Sequence, residues 1–280
     1  MYRLVTYVLI FIVVYLFVLE GNESDHIRIL TGLALSLPFA YISFLGNWIT
    51  LNAIKTVILY GTIIFGMGGF SLAAASVLFF ITSNLLSRRS RLYMERKNSN
   101  SSRRLDPKSR RDGYQILANG FWTIFFTIGW FITGDSSALI AAFVSIAVAC
   151  SDTWATEAGG VRPGKTLNIL TLLPVRPGSD GGMSVKGTAA AAAGSLSISV
   201  IVLFSGLSPV WIAMLIVLLF GFLGSMLDSL LGALISAKKP PLKIPADFSG
   251  NYHTFANSLV NWSSAGITTG VAFILTKLIL

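Results

Sequence analysis

The chain has 280 residues, 54% of them hydrophobic and only 12% charged, with a mean hydropathy of +0.72. A soluble domain carries about 25% charged residues, so this composition excludes an ordinary soluble globule. The net charge of +9 lies between apolar runs, where it sets membrane orientation rather than binding nucleic acid, and the single Cys150 excludes an internal disulfide.

Taken in chain order, the apolar runs are Leu4–Leu19, Ile29–Leu45, Trp48–Met67, Phe70–Leu86, Tyr114–Thr133, Ala138–Glu157, Gly187–Gly206, Pro209–Ser236 and Asn257–Ile279. Each is close to the roughly 20 residues that a spanning helix needs, which predicts an all-α, polytopic integral membrane protein with about nine transmembrane helices. The first run is followed by Glu20-Gly21-Asn22-Glu23 and has no small-residue cleavage site, so it reads as a retained anchor or spanning helix. Pro38 is placed to kink the second run, and Gly66-Met67-Gly68-Gly69 to turn the chain between the third and fourth. The Ala189–Ala193 tract, Gly221 and Gly224 allow close helix approach. No strand-like alternation competes with these runs.

Lys and Arg then orient the helices. Arg88–Arg111 holds ten basic residues and is expected in the cytoplasm. Threading the nine runs from it puts the amino terminus and the loops Val161–Lys186 and Ala237–Phe255 on the same side. Those loops carry Arg162, Lys165, Arg176, Lys186, Lys238, Lys239 and Lys243. The opposite side receives Glu20, Glu23, Asp25 and Asp135. The basic stretch also divides the chain into amino-terminal helices (1–87), a basic cytoplasmic loop (88–113) and carboxy-terminal helices (114–280). Within that loop, Asn98–Ser102 reads as a flexible linker whose flanking charges touch anionic lipid.

Charged groups within a membrane normally have a functional or pairing reason. Asp152 and Glu157 close the sixth run, and Asp228 interrupts the eighth. At 1.5 Å per residue, Asp152 and Asp228 both lie roughly 10 Å inside the expected cytoplasmic boundary. Asn119 on the fifth run and Asn261 on the ninth fall at a similar depth. Carboxylates with Asn, Ser and Thr oxygens are hard ligands suited to Mg²⁺ held with substrate phosphates. The plainer alternative is that these acids pair with Arg or Lys to assemble the helices.

The loop after Glu157 offers a complement. Gly159–Thr166 fits the phosphate-loop letters G-x-x-x-x-G-K-[ST] but follows a helix rather than a strand, so the match reads as coincidence. Farther on, Arg176-Pro177-Gly178-Ser179-Asp180-Gly181-Gly182 leads into the seventh run. Its glycines allow backbone N–H groups to approach an anion, with Lys165, Arg176 and Lys186 available to neutralise phosphate oxygens. A simple inter-helix loop would also be rich in Gly and Pro. Asp112, opening the fifth run, either caps that helix or takes part in chemistry.

Five motifs together carry a resemblance: Arg111-Asp112-Gly113-Tyr114-Gln115 with Ala118-Asn119-Gly120; Ser151-Asp152-Thr153-Trp154-Ala155-Thr156-Glu157; Pro177–Gly182; Gly224-Ser225 with Asp228-Ser229 and Leu231-Gly232-Ala233; and Val260-Asn261. From about Phe70 onward the chain resembles the membrane family of transmembrane protein 19 and phytyl-phosphate kinase, the Ser151–Glu157 run being the most specific part. The resemblance implies Mg²⁺-dependent transfer of an NTP (CTP) γ-phosphate to a prenyl monophosphate. Asp152, Glu157 and Asp228 would hold the metal, and Asn119 and Asn261 would complete the polar floor. Gly178, Ser179, Asp180, Gly181, Gly182, Lys165, Arg176 and Lys186 would hold the phosphates. Two positions depart from the family pattern: Ala256 stands where an acidic residue often precedes Asn257, and Leu167-Asn168 replaces Pro-Arg. A lipid-phosphate or ion transporter and an assembly scaffold are the competing expectations.

Overall fold

The computed structural model describes residues 2–97, 110–161, 164–237 and 252–280. Nine α-helices lie among them: α1 (Tyr2–Leu19), α2 (Glu23–Leu45), α3 (Ile54–Gly66), α4 (Phe70–Lys97), α5 (Gly113–Thr133), α6 (Ser136–Gly160), α7 (Val185–Ile201), α8 (Val210–Ala237) and α9 (Tyr252–Ile279). Each expected apolar run coincides with one of them. By length and composition seven are long and apolar enough to cross a membrane, and those corresponding to α1 and α3 are shorter apolar helices. The Asn98–Ser102 linker and the cations Arg162, Lys238, Lys239 and Lys243 lie outside the described residues.

Local chemistry sets several of the helix ends. Asp112 is the N-cap of α5: its carboxylate accepts the Gln115 N–H at 2.8 Å, while the Gln115 side chain accepts the Asp112 N–H at 3.1 Å. This reciprocal box satisfies two orphan donors and assigns Asp112 the capping role of the two expected for it. Asn22 and Asp25 form the same box at the start of α2, which runs through Pro38 as one continuous helix. Gly134 ends α5 in the left-handed region, where glycine carries no Cβ penalty.

α6 is the axis of the bundle. It packs against α4, α5, α7, α8 and α9, and 78% of its spanning window is buried, against 28–39% for the other six spans. The sequence explains this, because Ser137–Ser151 is built largely from Ala, Ser and Val, with Phe143 the one large ring. A helix with small side chains all round lets neighbouring backbones approach from every side. The contacts are correspondingly close: a Cβ added to Gly194 of α7 would stand 3.1 Å from the Cys150 carbonyl oxygen. On the other flank, α2 packs on α3, α3 packs on α5, and α4 reaches the centre through Trp154, whose indole donates to Thr82 at 3.2 Å.

One element was not expected. The loop between α6 and α7 folds as a two-stranded antiparallel ribbon, β1 (Thr166–Asn168) with β2 (Gly182–Ser184), pairing Thr166 with Ser184 and Asn168 with Gly182. Three-residue strands are too short to leave a readable alternation. The ribbon holds both ends of the glycine-rich segment beside the start of α7.

Candidate active site at one end of the bundle

The last turns of α6 and α8 and the first turns of α5, α7 and α9 surround a polar cavity of about 660 Å³. Asp152 and Asp228 line it from facing helices, close enough for their carboxyl groups to interact. Asp228 is buried, and its Oδ2 accepts the Ser264 hydroxyl at 2.7 Å. The Asn261 amide, in the orientation that satisfies its neighbours, donates to the Asn257 carbonyl at 2.9 Å and to Asp228 Oδ2 at 3.2 Å, and lies 2.9 Å from the Asn119 amide. Four helices thus supply one network: α6 gives Asp152, α8 Asp228, α9 Asn261 and Ser264, and α5 Asn119.

Glu157 is not part of it. Five residues beyond Asp152, it lies roughly 140° round the helix, facing α4, where its Oε1 accepts the Ser87 hydroxyl at 2.6 Å. Its charge still reaches Asp152 and Arg111. The expected three-carboxylate metal set is therefore reduced to a pair in this geometry. Among the described residues no three His, Cys, Asp or Glu side chains are grouped as metal ligands. A carboxylate pair beside hydroxyls does fit Mg²⁺, which uses one or two carboxylates, several waters and substrate phosphates rather than an all-protein cage.

The glycine-rich loop forms another wall of the cavity. Gly178, Ser179, Asp180, Gly181 and Gly182 all line it. Gly181 has φ +72°, and a Cβ there would collide with Ala233 of α8, so the loop backbone lies directly against that helix. The Asp180 carboxylate accepts the Ser236 hydroxyl and ties the loop to α8 a second time. By contrast, Lys165, Arg176 and Lys186 are exposed and none of them lines the cavity. The segment with phosphate-loop letters runs from the end of α6 into β1, the reverse of a strand-to-helix phosphate loop, although Gly159, Gly160 and Thr166 touch the cavity.

Several polar groups of the site were given no role in the sequence reading. Thr156, Thr188, Ser229 and Asn257 line the cavity, and Ser264 supports Asp228. Ser264 had a usable signal, since it lies three residues after Asn261 on the same helical face. Thr188 had none, because hydroxyls in membrane helices commonly bond their own backbone, whereas Thr156 and Ser229 stood within motifs already quoted.

Residues 34–269 match the family described as Integral membrane protein DUF92. The chain belongs to that family. Protein PGR of Arabidopsis thaliana is 28% identical over 242 residues, covering 76% of this chain and 81% of the plant protein. Uncharacterized membrane protein MJ0933 of Methanocaldococcus jannaschii is 33% identical over 180 residues, covering 64% of this chain and 71% of its own. No solved structure matches. The DUF92 assignment and the plant relative agree with the resemblance drawn from the motifs, and the matched span includes Asp152, Asp228, the glycine-rich loop and Asn261.

Proposed function

We propose that this DUF92 protein is a membrane-embedded kinase that transfers the γ-phosphate of a nucleoside triphosphate, CTP in the first instance, to a prenyl monophosphate such as phytyl phosphate. The observation that carries the reading is the juxtaposition of the Asp152–Asp228 pair with the glycine-rich wall Gly178–Gly182 in one polar cavity. Phosphoryl transfer asks a protein for positioning and charge neutralisation more than covalent chemistry. Mg²⁺ would supply that neutralisation when bound, and Asp152 and Asp228 are the side chains that would hold it. Ser264 and Asn261 fix the Asp228 carboxylate by donating to it, and the loop backbone at Asp180 and Gly181, between the internally bonded N–H groups of Ser179 and Gly182, offers N–H groups to the phosphates.

A terminal oxygen of the acceptor phosphate attacks the γ-phosphorus, the bond to the β,γ-bridging oxygen breaks, and nucleoside diphosphate leaves as prenyl diphosphate forms. The acceptor oxygen is already anionic, so no side chain is needed as a strong base. Glu157 acts at a distance, through the charge it presents to Arg111. Nine membrane crossings, a basic loop dividing four helices from five, and an amino terminus and cavity on the cytoplasmic side complete the proposal, following the distribution of Lys and Arg.

The test is transfer from radiolabelled CTP or ATP to a panel of prenyl monophosphates by purified protein with Mg²⁺. Diphosphate formed by the parent and lost in Asp152→Asn and Asp228→Asn is the expected result. Folded protein that transfers nothing and binds neither nucleotide nor prenyl phosphate would overturn it, and substrate-coupled flux in proteoliposomes would then favour a transporter.

A further inference from the structure

A second cavity, of about 700 Å³, also borders α5. Its walls are α2, α3, α4, α5 and α6, and they are almost entirely apolar. Along α4 it runs from Phe70 to Ile81, roughly 16 Å at 1.5 Å per residue and about half of a 30 Å hydrocarbon core. Its depth is therefore that of one leaflet.

The two ends of this groove differ. At one end Phe39 and Trp48 close on Phe80, with ring centroids 5.4 and 5.8 Å apart, and the charged and amide groups Arg111 and Asn119 enter the lining nearby. The other end is bounded by Phe65 and Phe70. The groove opens to the side between α2 and α4, where lining residues of both helices are exposed. Leu35 and Val77 stand exposed on the two lips of the opening.

Arg111 is placed deliberately. Its backbone N–H donates to the Trp48 carbonyl at 3.0 Å and its carbonyl accepts the Thr50 N–H at 3.1 Å, pinning it to the α2–α3 connection. Its guanidinium lies over the Phe79 ring, 5.5 Å from the centroid. Among the described residues no carboxylate comes within ion-pair distance of it. Burial lowers its pKa from the ordinary value and the charge of Glu157 partly offsets that. A half-buried cation at the end of an apolar, laterally open groove is complementary to a lipid whose head is an anion.

We infer that this groove is the binding site for the hydrocarbon chain of a single-chain lipid monophosphate, with the chain between α2 and α4 and the phosphate at Arg111 and Asn119. The assignment rests on the kinase reading for what is done to that phosphate, and on the groove for where the chain lies. One leaflet's depth and a lateral opening suit a chain that slides in from the bilayer without leaving it. Asn119 links the two compartments: it lines the groove, and its amide meets Asn261, which bonds Asp228 in the polar cavity. Gln115, one turn earlier on the same face of α5, lines the polar cavity, so this face of α5 borders both compartments. The shared chemistry admits a prenyl monophosphate or another single-chain lipid phosphate, and we commit to the prenyl compound as occupant.

The probe is a twenty-carbon prenyl monophosphate with a diazirine at its terminal isoprene, cross-linked to the full chain in nanodiscs and mapped by mass spectrometry. Label is expected on peptides containing Phe65, Phe70 or Leu35, competed by unlabelled prenyl monophosphate. Phosphate-free prenol and two-chain phosphatidic acid should compete at least about tenfold less well, the first for want of an arginine partner, the second for want of room. Ala74→Trp fills the groove and should remove the label. Val77→Trp, on the lipid-exposed lip where added bulk displaces no core atom, should reduce it even if Ala74→Trp does not fold. Arg111→Gln should weaken labelling about tenfold.

Label confined to the outward faces of α1 or α8, or label unchanged by both tryptophans, overturns the inference. So does equal competition by prenol or by phosphatidic acid. Groove labelling without phosphoryl transfer would leave the site standing and remove the kinase reading. Transfer with labelling elsewhere would do the reverse.

Discussion

The two cavities both border α5 and are nearly equal in volume, about 660 and 700 Å³, yet they are built by opposite rules. The polar one is a meeting of side chains from separate helices: Asp152 faces Asp228, Ser264 and Asn261 donate to Asp228, and Asn261 meets Asn119. The apolar one is a space left between the apolar side chains of five helices. Loss of one partner in a polar network leaves a buried group unsatisfied, whereas an apolar groove tolerates most substitutions that keep its volume. The polar cavity should therefore respond sharply to single atoms, and the groove only to bulk.

The largest effect is expected where the network is centred. Asp228→Asn should reduce phosphoryl transfer by on the order of 10³-fold, as loss of a preorganised charge does elsewhere, with helix content by circular dichroism unchanged. A reduction below about tenfold would place the chemistry elsewhere. Ser264→Ala removes a single donor to that carboxylate and should cost 10–100-fold in activity or in apparent Mg²⁺ affinity, roughly the range for groups that orient a metal ligand. Titrating Mg²⁺ in the parent and the variant separates the two.

Gly181→Val tests the loop rather than the pair. Its side chain meets Ala233, so the loop must lift from α8. The KM for nucleotide should rise by about tenfold while kcat falls less, since binding is what the loop contributes. Asp112→Ala should leave both cavities intact and lower stability by about 1 kcal/mol, the usual cost of an N-cap; thermal unfolding in detergent reads it.

The smallest effect lies at the far end of the bundle. Asp135 joins Lys277 at 2.6 Å. Burial raises the Asp135 carboxyl's pKa, but the Lys277 hydrogen bond and the Ser137 N–H and hydroxyl outweigh it, leaving the pKa below the ordinary 3.8. A carboxyl depressed in the fold contributes stability above its unfolded value, and that contribution is lost as pH falls through the folded value. The pair is partly exposed, so less than about 1 kcal/mol is expected. Asp135→Asn should flatten only the part of the unfolding profile below about pH 4.

How much of this was legible in the sequence follows from the same contrast. Apolar runs of spanning length announce helices because lipid leaves the backbone no other partner, and each run became one. Asp152, Asp228, Asn119 and Asn261 were legible as a group because polar residues are conspicuous in apolar sequence and their depths agreed. Glu157 misled because depth ignores rotation: it stands one turn nearer the helix end, yet faces α4. Lys165, Arg176 and Lys186 misled because a charge near a glycine-rich loop need not point where the loop's N–H groups do. The apolar groove left no trace at all. Leu35, Val77 and Phe70 read identically whether they face lipid tails or line a space that a lipid tail could occupy.

The enclosure of α6 also has a consequence for how the protein is made. A ribosome delivers α6 before α7, α8 and α9 exist, so this helix must first sit among lipids or against α4 and α5 alone. Asp152 enters the membrane's edge well before Asp228 has been synthesised. The mature arrangement is then a wrapping event, in which three later helices close around one already inserted, and the carboxyl pair can form only when α8 arrives. Assembly of the site and completion of the bundle are in this sense one step, and a chain truncated after α7 would expose the α6 face on which α8 and α9 belong.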